Sequence, residues 1–120
     1  MDKAIALHEF WNSFGIPAYD TSSVPDDAKF PYITYHVIDG ELGDDVTTDA
    51  SIWYRSTKWT DITRKADEIS NAITRGGKMI QYSDGALWIK KSTPWAQRME
   101  EPSDDMIRRI LLQYNLEFFD

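Results

Sequence analysis

The sequence predicts an α+β domain in which an antiparallel sheet of four or five strands carries two helices on one face, in the order α-β-β-α-β-β-β. Three observations predict it. Two segments place apolar residues at helical spacing. Several others are β-branched and aromatic and alternate at period two. The turns between neighbouring strands are mostly short, which favours antiparallel pairing. At 120 residues, the chain is expected to form a single domain spanning 1–120.

The first helix is expected over residues 3–14. Asp2 can cap it, and Ala4, Leu7, Trp11 and Phe14 recur at spacings that place them on one stripe, which Phe10 widens. Gly15 and Pro17 then form a stop signal, with the glycine in the left-handed cap position. Residues 15–31 read as a connection, because Asp20-Thr21-Ser22-Ser23 and Pro25-Asp26-Asp27 are turn chemistry. Strands are expected at 32–38 and 47–55, joined by an acidic loop at 39–45. In the second of these, Thr48, Ala50, Ile52 and Tyr54 share one side, and Thr47, Asp49, Ser51 and Trp53 share the other.

The second helix is expected to start at Thr60 as N-cap, with Asp61 in the first turn, where a negative charge is favoured. Ile62, Ala66, Ile69 and Ile73 form its buried stripe, and Gly76-Gly77 ends it. A hairpin follows, with strands at 79–83 and 86–91 flanking Asp84-Gly85, a strong two-residue turn signal. In residues 92–106, Trp95, Gln97 and Met99 fit an extended segment, and Glu100-Glu101-Pro102-Ser103-Asp104-Asp105 fits a turn. The last strand is expected at 106–118. Its Ile110, Leu112, Tyr114, Leu116 and Phe118 build a core face. The sheet face away from the helices is expected to carry Trp53, Trp88 and Tyr82. Those aromatics either await a partner or pack beneath residues 92–106.

Composition narrows the function classes. There are no cysteines, which excludes a disulfide scaffold, a thiolate metal site and a cysteine nucleophile. Hydrophobic residues make up 42%, enough apolar surface to argue against disorder. No apolar run reaches membrane-spanning length, and the start, Met-Asp-Lys, lacks an apolar signal core, so neither membrane insertion nor Sec export is expected. The net charge of −7 argues against non-specific duplex DNA or anionic lipid as a partner. The charge is uneven: residues 1–54 carry −8, 55–91 carry +4 and 92–120 carry −3. Either folding interleaves these charges, or it leaves unlike surfaces that could stack copy on copy.

No constellation for catalysis, cofactor or metal emerges. His8 and His36 have no second histidine at ligand spacing, and His8-Glu9 is not the start of a zinc-protease motif, because residue 12 is Asn. The carboxylate pairs Asp26-Asp27, Asp44-Asp45, Glu100-Glu101 and Asp104-Asp105 all fall in expected loops, where solvent keeps acid–base tuning poor. The cluster Asp39, Glu41, Asp44, Asp45 and Asp49 lacks the register of a calcium loop. Gly76-Gly77-Lys78 follows a helix, whereas a phosphate-binding loop precedes one. Trp53-Tyr54-Arg55, Lys58-Trp59 and Trp88-Ile89-Lys90-Lys91 mix aromatic and basic residues, as single-stranded nucleic acid sites do, but strand edges carry the same mixture. The expectation is therefore a binding or assembly protein and not an enzyme.

The order of signals has a counterpart. A first helix is followed by Phe30-Pro31-Tyr32-Ile33-Thr34-Tyr35, an acidic loop and Ile52-Trp53-Tyr54-Arg55-Ser56. The helix Ala66-Asp67-Glu68-Ile69-Ser70-Asn71-Ala72-Ile73, a hairpin with Trp88-Ile89 and the closing strand Arg108-Arg109-Ile110-Leu111-Leu112-Gln113-Tyr114-Asn115-Leu116 complete the series. Over about residues 3–118, this layout resembles the tail-terminator or tail-completion proteins of long-tailed bacteriophages and their prophage relatives. The resemblance implies a virion structural protein, made in the bacterial cytoplasm, that forms a homo-oligomeric ring, commonly hexameric. The ring would cap the tail tube and meet the tail tube protein and the head connector, with DNA passing through its lumen without specific binding. Other neck or head-closure proteins share this size and layout.

Under that reading the interface candidates are the acidic Asp39, Glu41, Asp44, Asp45 and Asp49, together with Trp53, Arg55, Trp59, Trp88 and Trp95, since interfaces are enriched in Trp and Arg. Two other classes remain open. One is a protein-binding adaptor unrelated to phage. The other is a small enzyme or nucleic-acid factor with a site built from Asp, Glu, Tyr and Arg.

Overall fold

In the computed structural model, which describes residues 3–38, 43–83 and 85–119, the chain runs through α1 (Lys3–Trp11), β1 (Ala18–Asp20), β2 (Tyr32–Tyr35), β3 (Asp45–Arg55), α2 (Thr60–Ile73), β4 (Lys78–Tyr82), β5 (Gly85–Met99) and β6 (Ile107–Phe118). The strands form one six-stranded sheet in the order β1-β2-β3-β6-β5-β4. β1 runs parallel to β2, and every other pair is antiparallel. The α+β class holds, but the expected four or five antiparallel strands become six in a mixed sheet. The extra strand is β1, which lies inside the expected 15–31 connection. Three residues are too few to show a period, and β1 forms only because β2 lies beside it.

β6 organises the molecule. It pairs with β3 along its whole length and with β5 in two stretches. Its inward residues Ile110, Leu112, Tyr114, Leu116 and Phe118 are all buried, as the alternation predicts. α2 lays Ile62, Ala66, Ile69 and Ile73 on this face, again as expected. Each fully buried Ile contributes roughly 1.5–3 kcal/mol relative to exposure. α1 supplies Ala6, Leu7, Phe10 and Trp11, and the 3-10 turn at Asn12–Phe14 adds Phe14. Trp11 is the largest fully buried side chain, and its ring lies 5.4 Å from that of Tyr114 and 6.4 Å from that of Tyr35.

Several local expectations are corrected. Ala4 is exposed and Ala6 takes its place, because the helix face is centred between the Leu7–Trp11 row and the Phe10–Phe14 row. The α-helix stops at Trp11 and tightens to a 3-10 turn before Gly15, which does adopt the left-handed conformation at φ 81°. Asp2 lies outside the described residues. Thr60 is the first residue of α2 and not its cap; Trp59 holds the cap position without a side-chain bond. At the other end the chain leaves the helix at Thr74, at φ 67°, before the glycines are reached. The Thr74 hydroxyl donates to the Gly77 carbonyl at 2.8 Å and fixes that exit.

The β2 strand ends at Tyr35, three residues short of its expected end. In the hairpin, Tyr82 pairs with Gly85, so Gly85 belongs to the strand and not to the turn as expected; Asp84 lies outside the described residues. β5 continues from Gly85 to Met99. Its register against β6 slips between Lys91 and Ala96, where Pro94 cannot donate to a ladder. Tyr82 faces the helices and not the open side, since it alternates with Ile80 opposite buried Leu87. No described helix is long and apolar enough to cross a membrane.

Candidate functional site

β3 writes the open face of the sheet in one line. Because side chains alternate, Asp45, Thr47, Asp49, Ser51, Trp53 and Arg55 all project away from the helices. β6 answers them in register with Glu117, Asn115, Gln113, Leu111, Arg109 and Ile107. Trp88 of β5 stands opposite Glu117 on the same face. Along β3 one end is therefore acidic and the other is aromatic and basic, and Trp88 and Lys90 of β5 stand beside the acidic end. Of the residues expected at an interface, Asp45, Asp49, Trp53, Arg55 and Trp88 are gathered on this surface.

The acidic end is tied down. The Gly43 N–H donates to the Phe118 carbonyl at 2.9 Å, and the Phe118 N–H donates to the Asp44 carbonyl at 3.1 Å. This fixes the exit of the loop on the last turn of β6 and puts Asp44 at the rim. Asn115 Nδ2 donates to Asp45 at 3.2 Å, and His36 Nε2 lies 3.2 Å from Asp49. Asp39 and Glu41 lie outside the described residues.

The aromatic end is a ladder. Trp53 stacks on Tyr32 at 6.3 Å, and Tyr32 meets Phe30 at 5.2 Å and Tyr19 at 5.9 Å. The Arg109 guanidinium lies 4.8 Å from the Trp53 ring centre, a cation–π contact. The Trp53 N–H donates to Thr34 at 2.9 Å and locks the indole flat on the sheet. Burial raises the Tyr32 phenol above its ordinary value, and the neighbouring Tyr19 adds to the shift. Tyr19, Phe30, Tyr32 and Arg109 are not among the interface candidates read from sequence. Tyr32 could have been found, because it alternates with Thr34 on the same side of its strand. Tyr19 could not, since its strand carries no period.

Residues 92–106 do not lie across this face. Residues 92–99 belong to the sheet itself, and Glu101 reaches back only as far as Arg109, at 3.5 Å. Trp59 and Trp95 sit elsewhere: both are partly buried and pack against the core. The Trp59 ring is clasped between Arg98 at 4.9 Å and Arg108 at 5.4 Å. Trp88 remains exposed at 36%, beside Met79 at 43%.

Folding pairs charges that are segregated in sequence. Arg55 meets Asp104 at 2.9 Å and Lys90 meets Glu117 at 3.8 Å. Asp104 accepts from the Met106 N–H and from Arg55, which together hold its carboxyl below the usual range. Among the described residues no three His, Asp or Glu side chains gather closely enough to hold a metal ion. The surface mixes acidic, polar and aromatic side chains.

No protein-family model matches this chain, and no curated protein matches it. Among solved structures, it is similar to a chain of the virion of a native gene transfer agent (GTA) particle. The TM-score is 0.65 at 17% identity, over 99% of this chain and 87% of that one. At that identity the likeness is one of fold.

Proposed function

We propose that this chain is a structural protein of a phage or phage-like virion, and specifically a tail-terminator or tail-completion protein. In this role it forms a ring on the end of the tail tube and joins the tail to the head connector. The observation that carries the reading is the fold likeness to a virion component along nearly the whole chain. The resemblance in the order of elements and phrases points the same way. So does the open sheet face, whose acidic and aromatic-basic ends differ enough to serve a contact between unlike surfaces, as a closed ring requires. On this reading the protein works by fitting against neighbours and not by catalysis. Its partners are its own copies, the tail tube protein and the connector, and it resides in the tail or neck of the particle.

Disruption of the gene in the producing strain tests this. The expected particles, seen by electron microscopy, are filled heads beside unjoined tails whose tubes vary in length. Unjoined tails of uniform length would favour another neck or head-closure role. Normal joined particles would overturn the virion reading altogether.

A further inference from the structure

Arginines gather round one indole at the end of the sheet where β3 finishes and β6 begins. Arg98 and Arg108 flank the Trp59 ring at 4.9 Å and 5.4 Å. Arg108 is committed, since its guanidinium donates to the carbonyls of Thr57, Asp105 and Ile107. Arg98 makes no hydrogen bond and no ion pair among the described residues. Arg64 of α2 reaches only Asp61, at 3.7 Å, with the two side chains 75% and 70% exposed. An exposed contact of that length holds little. Arg98, Arg64 and Trp59 line a cavity of about 380 Å³ together with Thr60, Thr63 and Asp67. It offers two guanidiniums with charge to spare and one carboxylate.

The inverse pattern stands elsewhere on the chain. Of the carboxylate pairs expected in loops, Asp104 is held by Arg55 and Glu101 by Arg109. Asp44 and Asp45 sit at the far end of the strands, since Asp45 pairs with Glu117 whereas Arg55 pairs with Ile107. Asp26 and Asp27 differ. They are exposed in the connection from β1 to β2, and neither makes an ion pair among the described residues. That connection leads into Tyr32, which pairs with Trp53 at the cavity's end of β3. Lys29, also exposed and without an ion pair, follows them. Two carboxylates and one ammonium thus match two guanidiniums and one carboxylate.

The two groups belong to opposite margins of the sheet. β1 and β2 form one margin. On the other, β4 covers β5 only as far as Ile89, so at Arg98 β5 itself is the last described strand. We propose that copies of this chain join side by side through these charges, the turn at 26–29 of one copy entering the cavity beside Trp59 of the next. Asp26 and Asp27 then lie toward Arg98 and Arg64, and Lys29 toward Asp67. This rests on the proposed ring and names its contact: one margin meeting the other is head-to-tail, the arrangement that closes rings.

Sedimentation of charge-reversed variants tests it. Asp26→Arg with Asp27→Arg is expected to weaken self-association on the order of tenfold, by setting like charges against Arg98 and Arg64. Arg64→Glu with Arg98→Glu is expected to do the same. All four substitutions in one chain are expected to restore association, which damage to the fold would not do. Should melting curves show that Arg98→Glu does not fold, Arg64→Glu with Asp26→Arg carries the same swap at two exposed positions. The absence of native cysteine adds a second reading. Asp27→Cys with Thr60→Cys, concentrated and treated with a short bis-maleimide, is expected to give a ladder of covalent oligomers on a denaturing gel. If the native protein sediments as an oligomer while the swap restores nothing, or while the cysteine pair gives no ladder, this contact is wrong and the ring stands. If the native protein stays monomeric at every concentration, and also when mixed with tail tubes from the particle, both fall.

Discussion

Asp104 shows how much one carboxylate can organise. It sits in the turn before β6, accepts from the Met106 N–H at 2.9 Å and receives Arg55 at 2.9 Å. These contacts depress its folded pKa below the ordinary value of 3.8. A depressed carboxylate contributes stability that is fully present above its unfolded pKa and is lost as pH falls through the folded one. Melting temperatures of the native protein should therefore drop in that acid window, and Asp104→Asn should flatten part of the drop. Identical acid slopes in the two proteins would remove Asp104 from the account. Tyr114 is the opposite case. It is fully buried, and burial pushes its phenol far up, so it stays neutral. The Trp11 indole N–H lies close enough to its hydroxyl to offset a little of that rise, but the pair falls short of hydrogen-bond geometry and neither atom has another partner among the described residues. Tyr114→Phe should consequently change stability by less than about 1 kcal/mol, since no made bond is lost. Trp11→Ala should cost about 3–5 kcal/mol through the cavity it leaves. Urea unfolding distinguishes the two, and a large loss in the Phe variant would reveal a bond that the geometry does not show.

Elements are held in register by a few backbone devices. Gly77 has φ 97°, and a Cβ there would overlap the Trp88 indole and come within 2.8 Å of the Ile89 carbonyl. The glycine lets the chain turn from α2 into β4 directly under Trp88, whose N–H donates to the Gly76 carbonyl at 3.0 Å. Gly77→Ala should cost about 1–3 kcal/mol and displace the indole, read as a shift in tryptophan fluorescence. An unchanged spectrum and melting point would show that the turn relaxes freely. The glycine pair was legible in sequence as an end to α2, yet its use is different: Thr74 stops the helix, and Gly77 admits a tryptophan.

At the scale of the molecule, two helices cover one side of the sheet, and the other side carries a gradient from acid to aromatic. The overall extents, 43 × 30 × 22 Å, describe a slab whose long sides offer broad contact. The acidic rim is the part most open to test in a particle. Asp44→Lys with Asp45→Lys should leave the monomer folded, because both residues are exposed, and should impair assembly or joining. Normal infectivity in that double variant, with an unchanged melting curve, would take the rim out of the interface.

By itself the sequence determined whatever depends on local periodicity. The buried stripe of α2, the inward set of β6 and the shared outward face of Asp49 and Trp53 follow from spacings of 3.6 and 2, which short-range backbone geometry imposes wherever the chain lies. Tertiary structure decided the rest. β1 needed β2 beside it, and the extension of β5 through Pro94 needed β6 to hold a slipped register. Trp59 and Trp95 read as surface anchors until the core claimed part of each. The union of Trp53 with Tyr32, Tyr19 and Arg109 joins residues from four strands, and pairing between distant segments leaves no local period to read. The closing of the β1 edge by a side chain is of the same kind. It depends on where the Asn12 side chain lands, six residues from Ala18 in sequence yet hydrogen-bonded to its backbone in the fold.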